Sequence, residues 1–129
     1  MRKTIGALVI GLLLLSSNLA WGDGNELLSK CNKSIRFAKD TFDAGYCVGI
    51  VQGVMGATSY FNEVLIGLGG KKTFFCIPSR SIIVLQSIRI IVKYLNENPE
   101  MLHESEILLI NMALGKAFPC PGANALKLH

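Results

Sequence analysis

Four cysteines constrain this chain more than any other feature: Cys31, Cys47, Cys76 and Cys120. The chain has 129 residues, which suits one domain, and a core of this size gains from extra cross-links. An even number of cysteines in an exported chain indicates two disulfides, which three different pairings could form. A four-cysteine zinc site usually contains closely spaced cysteine pairs, whereas the gaps here are 16, 29 and 44 residues. We therefore predict two disulfides and no metal site.

The position of the turns favours one of the three pairings. In an antiparallel helical hairpin, residues that face each other are about equally distant from the turn. The midpoint of the first two cysteines falls at residue 39, beside residues 40–43, and that of the last two falls at residue 98, within residues 96–99. The alternative pairings are centred near residues 53 and 83 or near residues 75 and 61. Because residues 40–43 and 96–99 contain turn and cap residues, we predict the disulfides Cys31–Cys47 and Cys76–Cys120.

The first 22 residues have the pattern of a secretory signal peptide. A basic start, Met1–Lys3, is followed by an apolar run over residues 5–15 and by small residues at Ala20 and Gly22. We predict cleavage before Asp23, or alternatively after Ala20, and export to the periplasm. The apolar run is shorter than the roughly 20 residues that span a bilayer, so we expect no membrane segment after cleavage. A retained membrane anchor is the alternative interpretation.

Apolar residues recur at helical spacing in four stretches of the remaining chain. The first stretch follows Asn25, which can cap a helix. The second runs from about Asp43 to Leu65, the third follows Pro78, and the fourth begins at Asn98–Pro99. No run long enough for a sheet has the period of a strand. The sequence therefore predicts an all-α fold, a small four-helix bundle made of two disulfide-stapled helical hairpins.

The second predicted helix carries a small residue at every fourth position: Gly45, Gly49, Gly53 and Ala57. Glycine inside a helix costs about 1 kcal/mol relative to alanine, so a regular repeat suggests a purpose. Small side chains let a neighbouring helix approach closely. A membrane-type dimer motif is the alternative, but Gln52 and other polar residues argue against a span. We therefore expect this side of the helix to pack inside the bundle.

The charge of the chain argues against nucleic-acid binding. Loss of Arg2 and Lys3 from the 13 basic residues leaves 11 against 9 acidic ones, so the mature net charge is about +2. No stripe of basic residues is interleaved with aromatic ones, which is the pattern that nucleic-acid interfaces show.

The residue types needed for catalysis are also poorly represented. A hydrolytic nucleophile needs a base beside it, but the two histidines are His103, expected at the surface, and the terminal His129. Four glutamates near the start of the last helix are expected to interact with the helix dipole rather than to form an acid–base pair. They are Glu97, Glu100, Glu104 and Glu106. We therefore predict that the chain is not an enzyme and uses no cofactor.

A segment rich in glycine and lysine is the clearest loop in the sequence. It follows the second helix and contains Gly67, Gly69, Gly70, Lys71 and Lys72. It lacks the residue order of a phosphate-binding loop. It is therefore either a partner-binding loop or a plain connector, and Gly69, Gly70, Lys71 and Lys72 are the candidate contact residues.

Several short strings resemble one known family in their order and spacing. They are Leu27–Cys31, Cys47–Val54, Cys76–Pro78, Lys93–Leu95, Asn98–His103, Ala113–Leu114 and Ala117–Cys120. Together they span roughly residues 26–120 and resemble the Rap/Tai family of immunity proteins, periplasmic partners of amidase effectors delivered by type VI secretion.

The resemblance implies a helical, often dimeric protein of the immunity type over residues 23–129. Such a protein binds an amidase effector and blocks the groove in which the enzyme cleaves the cell wall. A stiff domain that presents a loop, here Gly67–Lys72, loses little freedom on binding. Two alternatives stay open. One is a periplasmic chaperone of the acid-stress type, which would expose apolar surface on acidification. The other is an envelope protein without a toxin partner.

Overall fold

The computed structural model describes residues 22–36, 42–78 and 83–121, which form a bundle of four α-helices. The helices are α1 (Gly24–Arg36), α2 (Phe42–Gly67), α3 (Val84–Glu97) and α4 (Glu106–Ala117), with a short 3-10 helix (Pro99–Met101) between the last two. No strand occurs in these three ranges. The predicted all-α bundle is therefore confirmed.

The predicted signal peptide lies outside the described residues, except for Gly22. Within the described ranges, no helix combines the length and the apolar character that crossing a membrane requires.

Two disulfides join the chain in the pairing that the turn positions favour. Cys31 in α1 is bonded to Cys47 in α2, and their Cα atoms lie 5.1 Å apart. Cys76 precedes α3 and is bonded to Cys120, which follows α4, with Cα atoms 4.8 Å apart. The first disulfide is buried in the core, and the second closes the open end of the α3–α4 hairpin.

One apolar core takes side chains from all four helices and from one connecting segment. Its largest fully buried members are Leu27, Val51, Phe75, Ile88, Ile91, Leu95, Leu109, Ile110 and Leu114. Phe75 belongs to the segment between α2 and α3 rather than to a helix. The core therefore anchors this segment as well as the helices.

Asp23, rather than Asn25, caps α1. Asp23 Oδ1 accepts a hydrogen bond from the backbone amide of Glu26 at 2.9 Å, and this bond holds the pKa of the Asp23 carboxyl below its ordinary value. Asn25 lies inside the helix, where its Nδ2 donates to the carbonyl of Leu102 at 3.1 Å. The prediction for Asn25 was wrong because an aspartate two residues earlier is an equally good cap and the helix already begins at Gly24.

The small-residue side of α2 faces outward, against our expectation. Gly45, Gly49 and Gly53 are exposed, and no other group lies within 4 Å of the position that a Cβ would occupy. Cys47 and Val51 point inward instead. Because successive residues are about 100° apart around a helix, Gly45 and Gly49 lie roughly 200° from Cys47. The disulfide turns Cys47 toward α1 and thereby turns the glycines away from the core.

Replacing Gly49 with alanine should raise the free energy of unfolding by about 0.5–1 kcal/mol, because alanine loses less backbone freedom in a helix and meets no obstacle here. Urea unfolding measures the change. Gly24→Ala is the matched control and should destabilise the fold, since its Cβ would lie 2.4 Å from Leu109 Cδ1. A Gly49→Ala protein less stable than the wild type would mean that another helix packs on this side after all.

A buried carboxylate joins α2 to α4. Glu106 is buried, unlike the exposed Glu97 and Glu100, and both of its oxygens accept from the Tyr46 hydroxyl at 2.7 and 2.8 Å. Burial and the hydrogen bond to Glu106 raise the pKa of Tyr46 to about 12. Lys30 Nζ from α1 lies 3.7 Å from the centroid of the Tyr46 ring. Three helices therefore meet at this tyrosine.

The fold should lose stability as pH rises from about 10 to about 12. The Tyr46 pKa is higher in the folded chain than in the unfolded chain, so the stabilisation is complete below pH 10 and is lost as the pH passes through the folded value. Unfolding followed by circular dichroism at several pH values gives the slope of the free energy of unfolding against pH. The Tyr46→Phe substitution should flatten this slope. Tyr60→Phe alters an exposed tyrosine and should keep the wild-type slope. An unchanged slope in Tyr46→Phe would exclude this residue as the cause.

Candidate partner-binding site

The two candidate glycines shape the end of α2. The helix ends at Gly67, and Gly69 has a φ of +76°, a left-handed conformation that glycine adopts at little cost. The amide of Gly69 donates to the carbonyl of Ile66 at 3.0 Å, and that of Gly70 donates to Leu65 at 2.8 Å. These two bonds form a Schellman motif, which satisfies the last carbonyls of the helix and turns the chain away from it.

The two candidate lysines follow directly and are exposed. Lys72 Nζ lies 3.4 Å from Glu63 Oε1 on the last turns of α2. Lys71 makes no ion pair within the described part of the chain. The four residues that the sequence predicted therefore lie together at one end of the bundle, with their glycines in a structural role and their lysines at the surface.

The segment after the lysines is fixed by a buried side chain of α2. Asn62 Oδ1 accepts from the backbone amide of Thr73 at 2.7 Å, and Asn62 Nδ2 donates to the carbonyl of Phe75 at 3.1 Å. The next amide, that of Cys76, donates to the carbonyl of Phe118 at 2.9 Å. We call residues 68–76 the α2–α3 loop. Its second half is held by main-chain hydrogen bonds, by the buried ring of Phe75 and by a disulfide.

Phe74 has an unusual backbone conformation within this loop. Its φ is +60°, in the left-handed region that residues other than glycine rarely adopt. Its half-exposed ring lies near that of Phe61, with centroids 6.4 Å apart. Its carbonyl oxygen would be 2.9 Å from a Cβ at Gly115, so the loop backbone lies against α4 where that helix lacks a side chain.

Large exposed apolar side chains are concentrated in the chain segment that leads to the lysines and follows them. Six of the ten large apolar side chains that the described residues expose fall within residues 60–74. We call these six the apolar patch: Tyr60, Phe61, Val64, Ile66, Leu68 and Phe74. Concentrated exposed apolar side chains are typical of interaction sites. Sequence reasoning missed this patch, although six of the nine residues from 60 to 68 are large and apolar, which is more than one buried side of a helix needs.

A small cleft lies between α2 and the loop. Its volume is about 110 Å³, and Asn62, Glu63, Lys72 and Phe75 are among the residues that line it. Pockets for small-molecule ligands measure roughly 300–1,000 Å³, so this cleft suits a single side chain of a partner better than a free ligand. Within the described ranges, no group of three or more side chains is arranged to hold a metal ion.

The comparison with known families shows to which family the chain belongs. The family model of the Rap1a immunity proteins matches residues 23–120, which include all four helices and both disulfides. The chain belongs to the Rap1a immunity proteins. The resemblance seen in the sequence is therefore confirmed. No curated protein and no solved structure matches this Rap1a chain.

Proposed function

We propose that this Rap1a protein is exported to the periplasm, where it binds a peptidoglycan amidase delivered by type VI secretion and occludes its active-site groove. Membership of the family supports an immunity role. The signal-peptide pattern supports export, and two disulfides suit an oxidising compartment. Inhibition by occlusion needs no chemistry from the inhibitor, so the proposal includes no catalytic residue and no cofactor.

The exposed combination of the apolar patch with Lys71 and Lys72 is the observation that carries this proposal. An apolar centre with charges at its edge is the usual composition of a protein interface. A matching partner surface would be an apolar groove with acidic residues at its rim, because complementary charges speed encounter and fix orientation. A groove that binds a peptidoglycan strand is a concave surface of the size that one protruding loop can fill.

The hydrogen bonds of the loop support a contact made with little reordering. The amides of Gly70, Thr73 and Cys76 already have partners within the free chain. Association then loses little backbone freedom, which is one of the main costs of binding. The loop therefore presents its side chains in a conformation that exists before the partner arrives.

The proposal includes a homodimer, which the family resemblance implies. On the outward side of α2, no other group lies within 4 Å of a Cβ at Gly45, Gly49 or Gly53, which would allow a second copy to approach the helix backbone there. Light scattering of the purified mature chain gives the mass in solution. A monomer at micromolar concentration would remove the dimer from the proposal and leave the rest.

Replacing Lys71 and Lys72 with serine should weaken binding without weakening the fold. Charges at the edge of an interface mainly affect the rate at which the two proteins meet. We therefore expect the association rate to fall on the order of tenfold and its salt dependence to decrease. The Lys72–Glu63 pair is exposed, and such pairs contribute less than about 1 kcal/mol. Biolayer interferometry at two salt concentrations measures the rate, with a type VI-secreted peptidoglycan amidase that binds the wild-type chain as the ligand. Lys93→Ser, on α3, is the matched control.

Leu68→Ser tests the apolar half of the site. Leu68 is 80% exposed, so its loss should leave the free energy of unfolding almost unchanged and raise the Kd by about tenfold or more. Phe42→Ser is the matched control, because Phe42 is 83% exposed at the opposite end of α2. In vivo, cells that carry each variant are exposed to a competitor that secretes the amidase. Their survival should rank the variants in the same order as their affinities. Wild-type binding and protection by both the lysine variant and Leu68→Ser would remove the loop from the interface.

A further inference from the structure

We propose that Asn62 is a positioning residue for partner binding, because it holds the α2–α3 loop in the conformation that presents Lys71, Lys72 and the two members of the apolar patch that lie in the loop, Leu68 and Phe74. The inference rests on the proposed function, which defines the partner. Asn62 is 4% exposed. Both hydrogen bonds of its side-chain amide go to the loop backbone, so its proposed role is exercised through the loop.

Both ends of the Asn62 amide bind the backbone of the loop. The oxygen accepts from the amide of Thr73 at 2.7 Å, and the nitrogen donates to the carbonyl of Phe75 at 3.1 Å. Asn62 lies within α2, five residues before that helix ends, so its own backbone is fixed by helical hydrogen bonds. A rigid element thus holds two points of the loop that are only two residues apart.

The residue between those two points is Phe74, whose φ is +60°. A non-glycine residue stays in this region only when its surroundings enforce it. Asn62 binds the backbone immediately before and immediately after Phe74, and Gly115 leaves room for the Phe74 carbonyl oxygen. Without the two hydrogen bonds, Phe74 is free to return to a negative φ. That change would redirect the chain that leads back to Lys72 and Leu68.

A matched variant separates positioning from general stability. Thr58 lies one turn before Asn62 on the same side of α2 and is 7% exposed. Its hydroxyl oxygen lies 3.5 Å from Asn111 Oδ1 on α4, away from the loop. Asn62→Ala and Thr58→Ala both remove a buried polar group from α2. Only Asn62→Ala should loosen the loop.

The first measurement uses the free protein. Trypsin cleaves after Lys71 and Lys72 only when the loop opens, and no disulfide joins the two fragments that result. We expect Asn62→Ala to be cleaved at these lysines at least tenfold faster than the wild type. Thr58→Ala should be cleaved at the wild-type rate under conditions in which both variants are folded. Amide hydrogen exchange of residues 70–76 gives the fraction of time that the loop is closed.

The second measurement uses the same secreted amidase. If only the closed loop binds, the Kd rises by the inverse of the closed fraction. The increase in Kd for Asn62→Ala should therefore match the closed fraction from hydrogen exchange, and Thr58→Ala should bind like the wild type. Loss of general stability would also speed the exchange of core amides, so faster exchange confined to residues 70–76 identifies the loop as the cause.

A loop that stays as protected in Asn62→Ala as in the wild type would overturn the inference. A loosened loop with an unchanged Kd would overturn it too, but the proposed function would stand if the Lys71/Lys72 variant still lost binding. Wild-type binding by both the lysine variant and Leu68→Ser would instead overturn the proposed function. The two failures are therefore distinguishable.

Discussion

The disulfide between Cys31 and Cys47 determines which side of α2 faces the core, and much of the molecule depends on that rotation. With Cys47 turned toward α1, Val51 and Val54 follow it inward, and farther along the same side Asn62 reaches the backbone of the α2–α3 loop. The opposite side is left with small residues and, near its end, with the apolar patch. In the loop-entropy account, a cross-link across 16 residues contributes about 3 kcal/mol. That is a large share of the roughly 5–15 kcal/mol that stabilises a typical domain.

The second disulfide has a different consequence, because neither of its cysteines lies in a helix. It joins the segment before α3 to the segment after α4, and the neighbouring Phe75 ring is inserted into the core. The chain between α2 and α3 is thus attached to the bundle by a covalent bond, an aromatic anchor and the Asn62 amide. Residues 68–76 are therefore firmly held, although they have no regular secondary structure. The backbone that carries the exposed side chains of Leu68, Lys71 and Lys72 is therefore also firmly held.

The sequence predicted the features that follow from spacing. Cysteine midpoints gave the disulfide pairing, and apolar periodicity gave four helices. Spacing did not reveal which side of α2 is buried, because Gly45, Gly49 and Gly53 recur at a helical interval just as Cys47, Val51 and Val54 do. Spacing also could not predict the hydrogen bonds of Asn62. These bonds depend on the left-handed conformation of Phe74, and no residue type in the sequence indicates that conformation. The apolar patch, in contrast, could have been found, because six of the nine residues from 60 to 68 are large and apolar, which is more than one buried side of a helix needs.

Asn62 binds main-chain atoms only, and a peptide amide or carbonyl is the same whichever residue carries it. The shape of the loop is therefore largely independent of the identities of its outward side chains. Under the proposed function, substitutions at Leu68, Lys71 or Lys72 change which toxin is recognised while the scaffold keeps its geometry. Such an inhibitor would follow changes in its target by single surface substitutions, without a change of fold.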